Sequence, residues 1–300
     1  MNPWPSLTPY AKTLSLPGGN LFYYDSASEA VAANKPALIL IHGLGDEADT
    51  WRYVFHPLAA AGYRVIALDL PGFGRSIWKG RISMRCHLMA VIRLLTMTGA
   101  ASPERPAVFV GSSLGAAVSE FAACKRPDLV KALLLVDGCF PFEGKLEKGT
   151  LKLMLPSVGS KWYRSFRKNH ESAWKSLYPY YADLDAMSGE DRAFLRERVI
   201  ARVESENQER GYLSTMRSMS VFFIFKRKFI SRRIKTYQGK IAILWGEKDN
   251  VLRHEETGLF RGLRPDAELT LIAGAGHLPH QEKHEETATQ MLRFMKELSV

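Results

Sequence analysis

The sequence of 300 residues predicts an α/β protein with a mainly parallel central sheet, helices on both faces of that sheet, and an inserted helical cap. Two observations carry this prediction. Short, continuous apolar runs alternate with stretches of helical periodicity, and such runs are typical of strands buried on both faces. The alternation stops near residue 141 and resumes near residue 237. Because a block of that length is too long for a loop, we expect a helical subdomain there.

Each element is predicted from its local pattern. A Pro-Gly-Gly turn at residues 17–19 joins two short apolar stretches into a hairpin, and residues 27–35 form a polar connection. Strands are predicted at residues 12–16, 21–24, 37–41, 64–68, 107–110, 131–136, 241–245 and 268–272. Helices are predicted at residues 50–61, 84–97, 114–125, 255–262 and 285–298. The resulting division is a core domain of residues 1–140 and 237–300 with a cap of residues 141–236.

The composition is that of a soluble globular protein. No run reaches the ~18 apolar residues of a membrane-spanning helix, and the N-terminus lacks the pattern of a secretory signal, so we expect a cytoplasmic protein. The three cysteines lack metal-ligand spacing and fit a reducing compartment. The histidines and carboxylates form no recognised metal motif, and the glycine-rich turns lack nucleotide-binding spacing. We therefore expect neither a metal nor a cofactor.

The positive charge is concentrated in the cap. The chain carries a net charge of +10, and residues 141–235 contain 20 basic and 11 acidic residues. Six of the basic residues fall between Lys226 and Lys235, beside apolar residues that helical spacing places on one face: Val221, Phe222, Phe225 and Phe229. The simpler interpretation is a cap helix whose aromatic side chains pack over a substrate pocket while its basic face is solvated. The alternative is peripheral docking on an anionic membrane. No recognised motif supports nucleic-acid binding.

The strand at residues 107–110 leads into Gly111-Ser112-Ser113-Leu114-Gly115, and a helical pattern follows. This is G-x-S-x-G between a strand and a helix, the context in which such a serine sits at the apex of a strained turn. Side chains at the two glycines would clash there. Ser112 is interpreted as a small residue that fills the turn. Ser113 is therefore the candidate nucleophile.

A base and an acid follow later strands. Asp249 lies after the strand at 241–245 and His277 after the strand at 268–272, at the strand ends where active sites of parallel sheets form. A serine hydroxyl needs a base to take its proton, and a buried carboxylate fixes the histidine tautomer. The oxyanion needs preorganised donors, and the N–H groups of Leu44 and Leu114 are the candidates.

Several neighbouring residues have simpler interpretations. Asp137 also ends a strand and is the alternative acid, although a capping or turn role is more common for such a residue. His280 and His284 are interpreted as surface or supporting residues at a helix start. His42 and Asp69 are interpreted as residues that order the turns after their strands.

The sequence resembles the α/β-hydrolase-fold serine hydrolases of the capped esterase and lipase type. The matching motifs occur in the family's order: His42-Gly-Leu-Gly45, Asp69-Leu-Pro-Gly-Phe-Gly-Arg-Ser76, Gly111-Ser-Ser-Leu-Gly115, Gly246-Glu-Lys-Asp249 and Gly276-His277. The resemblance implies a carboxylic-ester hydrolase, and the aromatic cap suggests medium-chain or monoacylglycerol esters, with cap aromatics binding the substrate. Ser113 argues against haloalkane dehalogenases and epoxide hydrolases, which carry aspartate there. Carbon–carbon bond hydrolysis, acyl transfer and a ligand receptor of this fold remain alternatives.

Overall fold

A computed structural model describes residues 1–27, 35–141 and 154–298. Most of the predicted connection at residues 27–35 and the first part of the predicted cap, residues 142–153, lie outside these ranges. The statements that follow concern the described residues.

An eight-stranded sheet forms the centre of the described structure. Its strands are β1 (Ala11–Leu16), β2 (Gly19–Asp25), β3 (Leu38–Ile41), β4 (Val65–Leu68), β5 (Ala107–Ser112), β6 (Val130–Val136), β7 (Lys240–Gly246) and β8 (Glu268–Ile272). The spatial order is β1-β2-β4-β3-β5-β6-β7-β8. β2 pairs antiparallel with β1 and β4, whereas every later pair is parallel. The predicted fold class is confirmed.

The structure contains ten α-helices in the described ranges, and the five helices that were predicted individually agree with it to within a few residues. The ten helices are α1 (Arg52–Ala60), α2 (Met84–Thr98), α3 (Leu114–Lys125), α4 (Pro156–Lys168), α5 (His170–Lys175), α6 (Gly189–Glu204), α7 (Glu206–Thr236), α8 (Gly258–Leu263), α9 (Pro279–Glu282) and α10 (His284–Glu297). Local chemistry fixes the ends of α2. The Ser83 side chain accepts a hydrogen bond from the Cys86 N–H, and Gly99 terminates the helix with φ +64°.

Two apolar layers hold the helices against the sheet. One layer packs α2, α3, α8 and the C-terminal part of α7 on one face, with Ile230 and Ile234 contributed by α7. The other packs α1 and α10 on the opposite face, with Met291 and Phe294 contributed by α10. The strands β3 and β4 are buried along their whole length because both faces are covered.

Residues 154–236, here called the helical segment, hold α4 to α7 and the 3-10 helix Tyr178–Tyr180. Within these residues the structure contains no strand, as the sequence predicts. The assignment of this segment as a separate cap remains a prediction. None of the helices in the described ranges combines the length and the apolarity that a membrane-crossing segment requires.

Candidate active site

Ser113 sits at the apex of the turn between β5 and α3 in a left-handed backbone conformation, with φ 51° and ψ −109°. Among the described residues other than glycine, only Ser113 and Asp137 have positive φ. A Cβ at Gly111 would lie 2.2 Å from the Gly115 carbonyl oxygen, and one at Gly115 would lie 2.0 Å from that of Ile41. The second clash is therefore with β3 and not across the turn itself. The close approach of these backbone segments and the strained conformation of Ser113 place the serine at the carboxyl end of β5.

His277 and Asp249 form a buried pair. The His277 Nδ1 and the Asp249 Oδ2 are 2.7 Å apart, and both side chains are almost completely buried. Asp249 Oδ1 accepts from the backbone N–H groups of Val251 and Leu252, which fixes the carboxylate. The other imidazole nitrogen, Nε2, is not part of the contact with Asp249. Within the described ranges the Ser113 hydroxyl has no hydrogen-bond partner, so its contact with His277 belongs to the proposal below.

Asp137 ends β6, the strand between β5 and β7, and is fully buried with φ 45°. Its Oδ1 accepts from the Gly246 N–H at 2.7 Å. Burial and, after it, the nearby Asp249 charge raise the pKa of Asp137 well above its ordinary value, which favours the neutral form of this carboxyl. Asp249, and not Asp137, is the carboxyl group that lies 2.7 Å from His277 Nδ1.

Ligand atoms of Asp137, Asp249 and His277 lie within 4.8 Å of one another, a spacing at which a metal ion could also bind. The hydrogen bonds described above already engage the His277 Nδ1, the Asp249 carboxylate and Asp137 Oδ1. The site is therefore interpreted as a hydrogen-bonded acid–base pair.

The predicted oxyanion donors are the backbone N–H groups of Leu44 and Leu114, which directly follow Gly43 and Ser113. Leu114 is the first residue of α3, so its N–H has no partner within that helix. Leu44 follows Gly43, whose Cβ position would lie 3.5 Å from the Ser113 Cβ. His42 supports this loop as a neutral ring, because burial lowers its pKa. Its Nδ1 lies 2.7 Å from the Gly43 carbonyl oxygen, and its Nε2 accepts from the Leu70 N–H.

The loop after Leu44 is tied to α6 by buried ion pairs that the sequence analysis missed. Arg202 Nε donates to Glu47 at 2.7 Å, and a second nitrogen of the same guanidinium pairs with Asp46. Burial alone would raise the pKa of Glu47, but the charge and hydrogen bond of Arg202 outweigh burial and lower that pKa to about 2. Arg198 lies 3.2 Å from the Asp49 carboxylate. These contacts join residues that are about 150 positions apart in the sequence, so they cannot be predicted from a local sequence pattern.

Aromatic residues of the helical segment do reach the candidate site, but they are not those that the sequence analysis singled out. Leu44 packs against a cluster that holds Trp162, Tyr163, Tyr212, Leu213 and Met216. The Tyr180 carbonyl accepts from the His277 N–H at 2.9 Å, and the two rings lie 5.8 Å apart. The segment therefore contacts both Leu44 and His277.

The predicted common face of Val221, Phe222, Phe225 and Phe229 is wrong. Phe222 is buried against Phe121, and Phe229 packs partly against the core. Val221 and Phe225 are exposed to solvent. The residues of this stretch point in two directions because both sides of the helix are apolar, so helical spacing alone could not choose the buried side.

The remaining residues have structural partners. Asp69 Oδ1 accepts from the Ala48 N–H, and its Oδ2 pairs with Arg75, so Asp69 orders its loop. His284 stacks on Tyr53. The surface interpretation of His280 is wrong, because His280 is completely buried and stacks on Trp51 with ring centroids 4.2 Å apart. In the sequence, a histidine after a helix-starting proline resembles a surface residue. Its burial depends on Thr50 and Trp51, which lie just before α1.

The chain is similar to known proteins over most of its length. A model of the family described as "Alpha/beta hydrolase family" matches residues 38–290. Lipase 3 of Moraxella sp. (strain TA144) is 27% identical over 292 residues, covering 94% of this chain and 84% of that protein. An epoxide hydrolase of Caballeronia sordidicola is 25% identical over 324 residues, covering 93% of this chain and 94% of its own. A thermophilic esterase from Thermogutta terrifontis shares the fold, with a TM-score of 0.76 at 19% identity over 97% of this chain and 98% of that chain.

Proposed function

The chain belongs to the alpha/beta hydrolase family, and on that basis we propose that it is a serine hydrolase that cleaves carboxylic esters through Ser113, His277 and Asp249. The observation that carries the proposal is the buried 2.7 Å pair of His277 and Asp249 at the same sheet edge as a serine held in a strained turn. The lipase and esterase among its relatives support ester hydrolysis in general. Ser113 at the turn argues against epoxide hydrolysis, since that chemistry uses an aspartate nucleophile there.

The proposed reaction has two halves. Ser113 Oγ attacks the ester carbonyl carbon while His277 Nε2 takes its proton, and Asp249 stabilises the resulting imidazolium. The N–H groups of Leu44 and Leu114 bind the oxyanion. The tetrahedral intermediate then expels the alcohol, which receives the proton from His277. Water, deprotonated by His277, attacks the acyl-enzyme, and the acid leaves as Ser113 regains its proton.

We further propose that the substrate has an apolar acyl or alcohol group. The reason is the cluster beside Leu44, whose aromatic members Trp162, Tyr163 and Tyr212 offer apolar surface next to this proposed oxyanion donor. A medium-chain ester or a monoacylglycerol fits this chemistry. Carbon–carbon bond hydrolysis, acyl transfer and ligand binding without turnover remain the alternatives to be tested.

The experiment is hydrolysis of p-nitrophenyl esters from acetyl to palmitoyl by the wild type, Ser113→Ala and Ser112→Ala. Ser112 is the matched control because it is the adjacent, buried serine of the same turn. We expect turnover by the wild type and by Ser112→Ala, and a fall to background in Ser113→Ala, since loss of such a nucleophile costs about 10⁶ in kcat. A wild type that is inert across the whole series would contradict ester hydrolysis and favour ligand binding. Equal activity of Ser113→Ala would remove Ser113 from the mechanism.

A further inference from the structure

The C-terminal half of α7 exposes a row of large apolar side chains to solvent. Val221, Ile224 and Phe225 are 49%, 61% and 75% exposed. Their spacing of three and four residues places them side by side on one helix face. The same helix buries Phe222, Ile230 and Ile234 on its other side, so the exposed row is not the helix's packing face.

This apolar row is accompanied by stretches of α7 and α2 that carry basic residues and no acidic residues. Residues 77–98, which include α2, contain four basic residues and no acidic residue. Residues 210–236 of α7 contain eight basic residues and no acidic residue. These twelve basic residues exceed the net charge of +10 of the whole chain. Lys226, Arg227 and Lys228 are exposed directly beside Phe225.

An open cleft continues the basic surface. It has a volume of about 430 Å³, lies between the loop at residues 80–83 and α7, and is lined by Arg81, Arg210, Arg217 and Val221. A second cleft of about 300 Å³ shares Arg81 and adds Arg85 and Arg93 from α2. Neither cleft is lined by the candidate catalytic residues. Arginine side chains around an open cleft are suited to several phosphate groups at once.

We propose that this face of α7 and α2 docks on the surface of an anionic phospholipid membrane. Basic residues attract the anionic lipid headgroups, and the apolar row inserts at the boundary with the acyl chains. A second copy of the chain is a poor occupant, because a symmetric contact would place the basic surfaces of the two copies against each other. A nucleic acid would match the charge but would leave the exposed apolar row unexplained. The inference does not depend on ester hydrolysis.

Vesicle co-sedimentation tests the proposal. The full chain is mixed with vesicles of phosphatidylcholine alone or with about 30% phosphatidylglycerol, at low salt and at about 0.5 M NaCl. The charge variant reverses Lys226, Arg227 and Lys228 to glutamate. Its matched control reverses Lys161, Lys168 and Lys175, three exposed lysines of the same segment, to glutamate. The apolar variant is Ile224→Ser with Phe225→Ser, and its control is Leu259→Ser with Leu271→Ser, both partly exposed elsewhere. Thermal melting confirms that each variant is folded.

We expect binding to the anionic vesicles only, and loss of that binding at high salt. The charge variant should bind at least about 100-fold more weakly, because each basic side chain near such a surface contributes about fivefold. The apolar variant should lose about tenfold or more, and both controls should bind nearly as the wild type does. Three results would each overturn the proposal: no binding, equal binding to neutral vesicles, or equal losses in the folded variants and their controls. Retention by DNA without vesicle binding would instead identify a nucleic-acid surface.

Discussion

Replacement of Asp249 by asparagine, compared with the same replacement at Asp137, tests which carboxylate acts with His277. The two aspartates follow neighbouring strands, and ligand atoms of both lie within 4.8 Å of His277 ligand atoms. Only Asp249 is placed 2.7 Å from His277 Nδ1. The two variants change one carboxylate each to an amide of the same shape, so a difference between them reports chemistry and not volume.

The structure predicts very different magnitudes for the two variants. An amide at position 249 can turn its NH₂ group toward the ring and favour the wrong histidine tautomer, a change that lowers kcat about 10⁴-fold in a serine protease with the same triad. That factor corresponds to about 5.4 kcal/mol of transition-state stabilisation. The raised pKa of Asp137 favours its neutral form, and an asparagine there can still accept the Gly246 N–H and donate toward Asp249. We therefore expect Asp137→Asn to lose about tenfold or less.

The assay is kcat for the best p-nitrophenyl ester, with each variant checked for a native melting transition. If Asp137→Asn loses as much activity as Asp249→Asn while remaining folded, Asp137 shares the acid's role. If Asp249→Asn retains more than about a tenth of wild-type kcat, the pairing seen in the structure is not the catalytic one.

Three further predictions concern stability, each measured as the free energy of unfolding in urea. Gly115→Ala should lower the free energy of unfolding by about 3 kcal/mol or more, because its Cβ would lie 2.0 Å from a β3 carbonyl oxygen. The control Gly262→Ala, with open space at its Cβ position, should be neutral or slightly stabilising. Equal losses in the two variants would contradict the close packing at Gly115. The pKa of Glu47 is lowered to about 2, so the contribution of its carboxylate to stability is present above the unfolded pKa and is lost as the pH falls from about 4.5 to 2. The difference in the free energy of unfolding between the wild type and Glu47→Gln should therefore shrink over that pH range. A constant difference would refute this prediction. Phe222→Ala should cost about 3–5 kcal/mol and the exposed Phe225→Ala less than about 0.5 kcal/mol; the reverse order would mean that α7 is rotated.

The sheet and the contact between Asp249 and His277 could be predicted from the sequence because both leave local signals. Strands buried on both faces appear as continuous apolar runs, as β3 and β4 do. Each candidate catalytic residue follows a strand in a glycine-containing motif. Parallel pairing then brings the ends of these strands to the same side of the sheet, and the strand order alone is enough to predict that placement.

The features that the sequence could not predict depend on contacts between distant segments. Arg202 and Glu47 are 155 residues apart, and the sequence around neither residue indicates which residue it pairs with. Tyr180 reaches His277 through its backbone carbonyl, a group that every residue has. On α7, Phe222 and Phe225 have the same chemistry, and only the position of Phe121 across from the helix decides which of them is buried.

The most direct test of the central claim is covalent labelling by an alkyl fluorophosphonate, which reacts with a serine that a neighbouring base activates. The intact protein should gain the mass of one phosphonyl group, and peptide mapping should place it on Ser113. Labelling should disappear in Ser113→Ala and fall steeply in Asp249→Asn, while Ser112→Ala should label as the wild type does. Absence of labelling in the folded wild type, or a label on another serine, would contradict the assignment of Ser113 as the nucleophile.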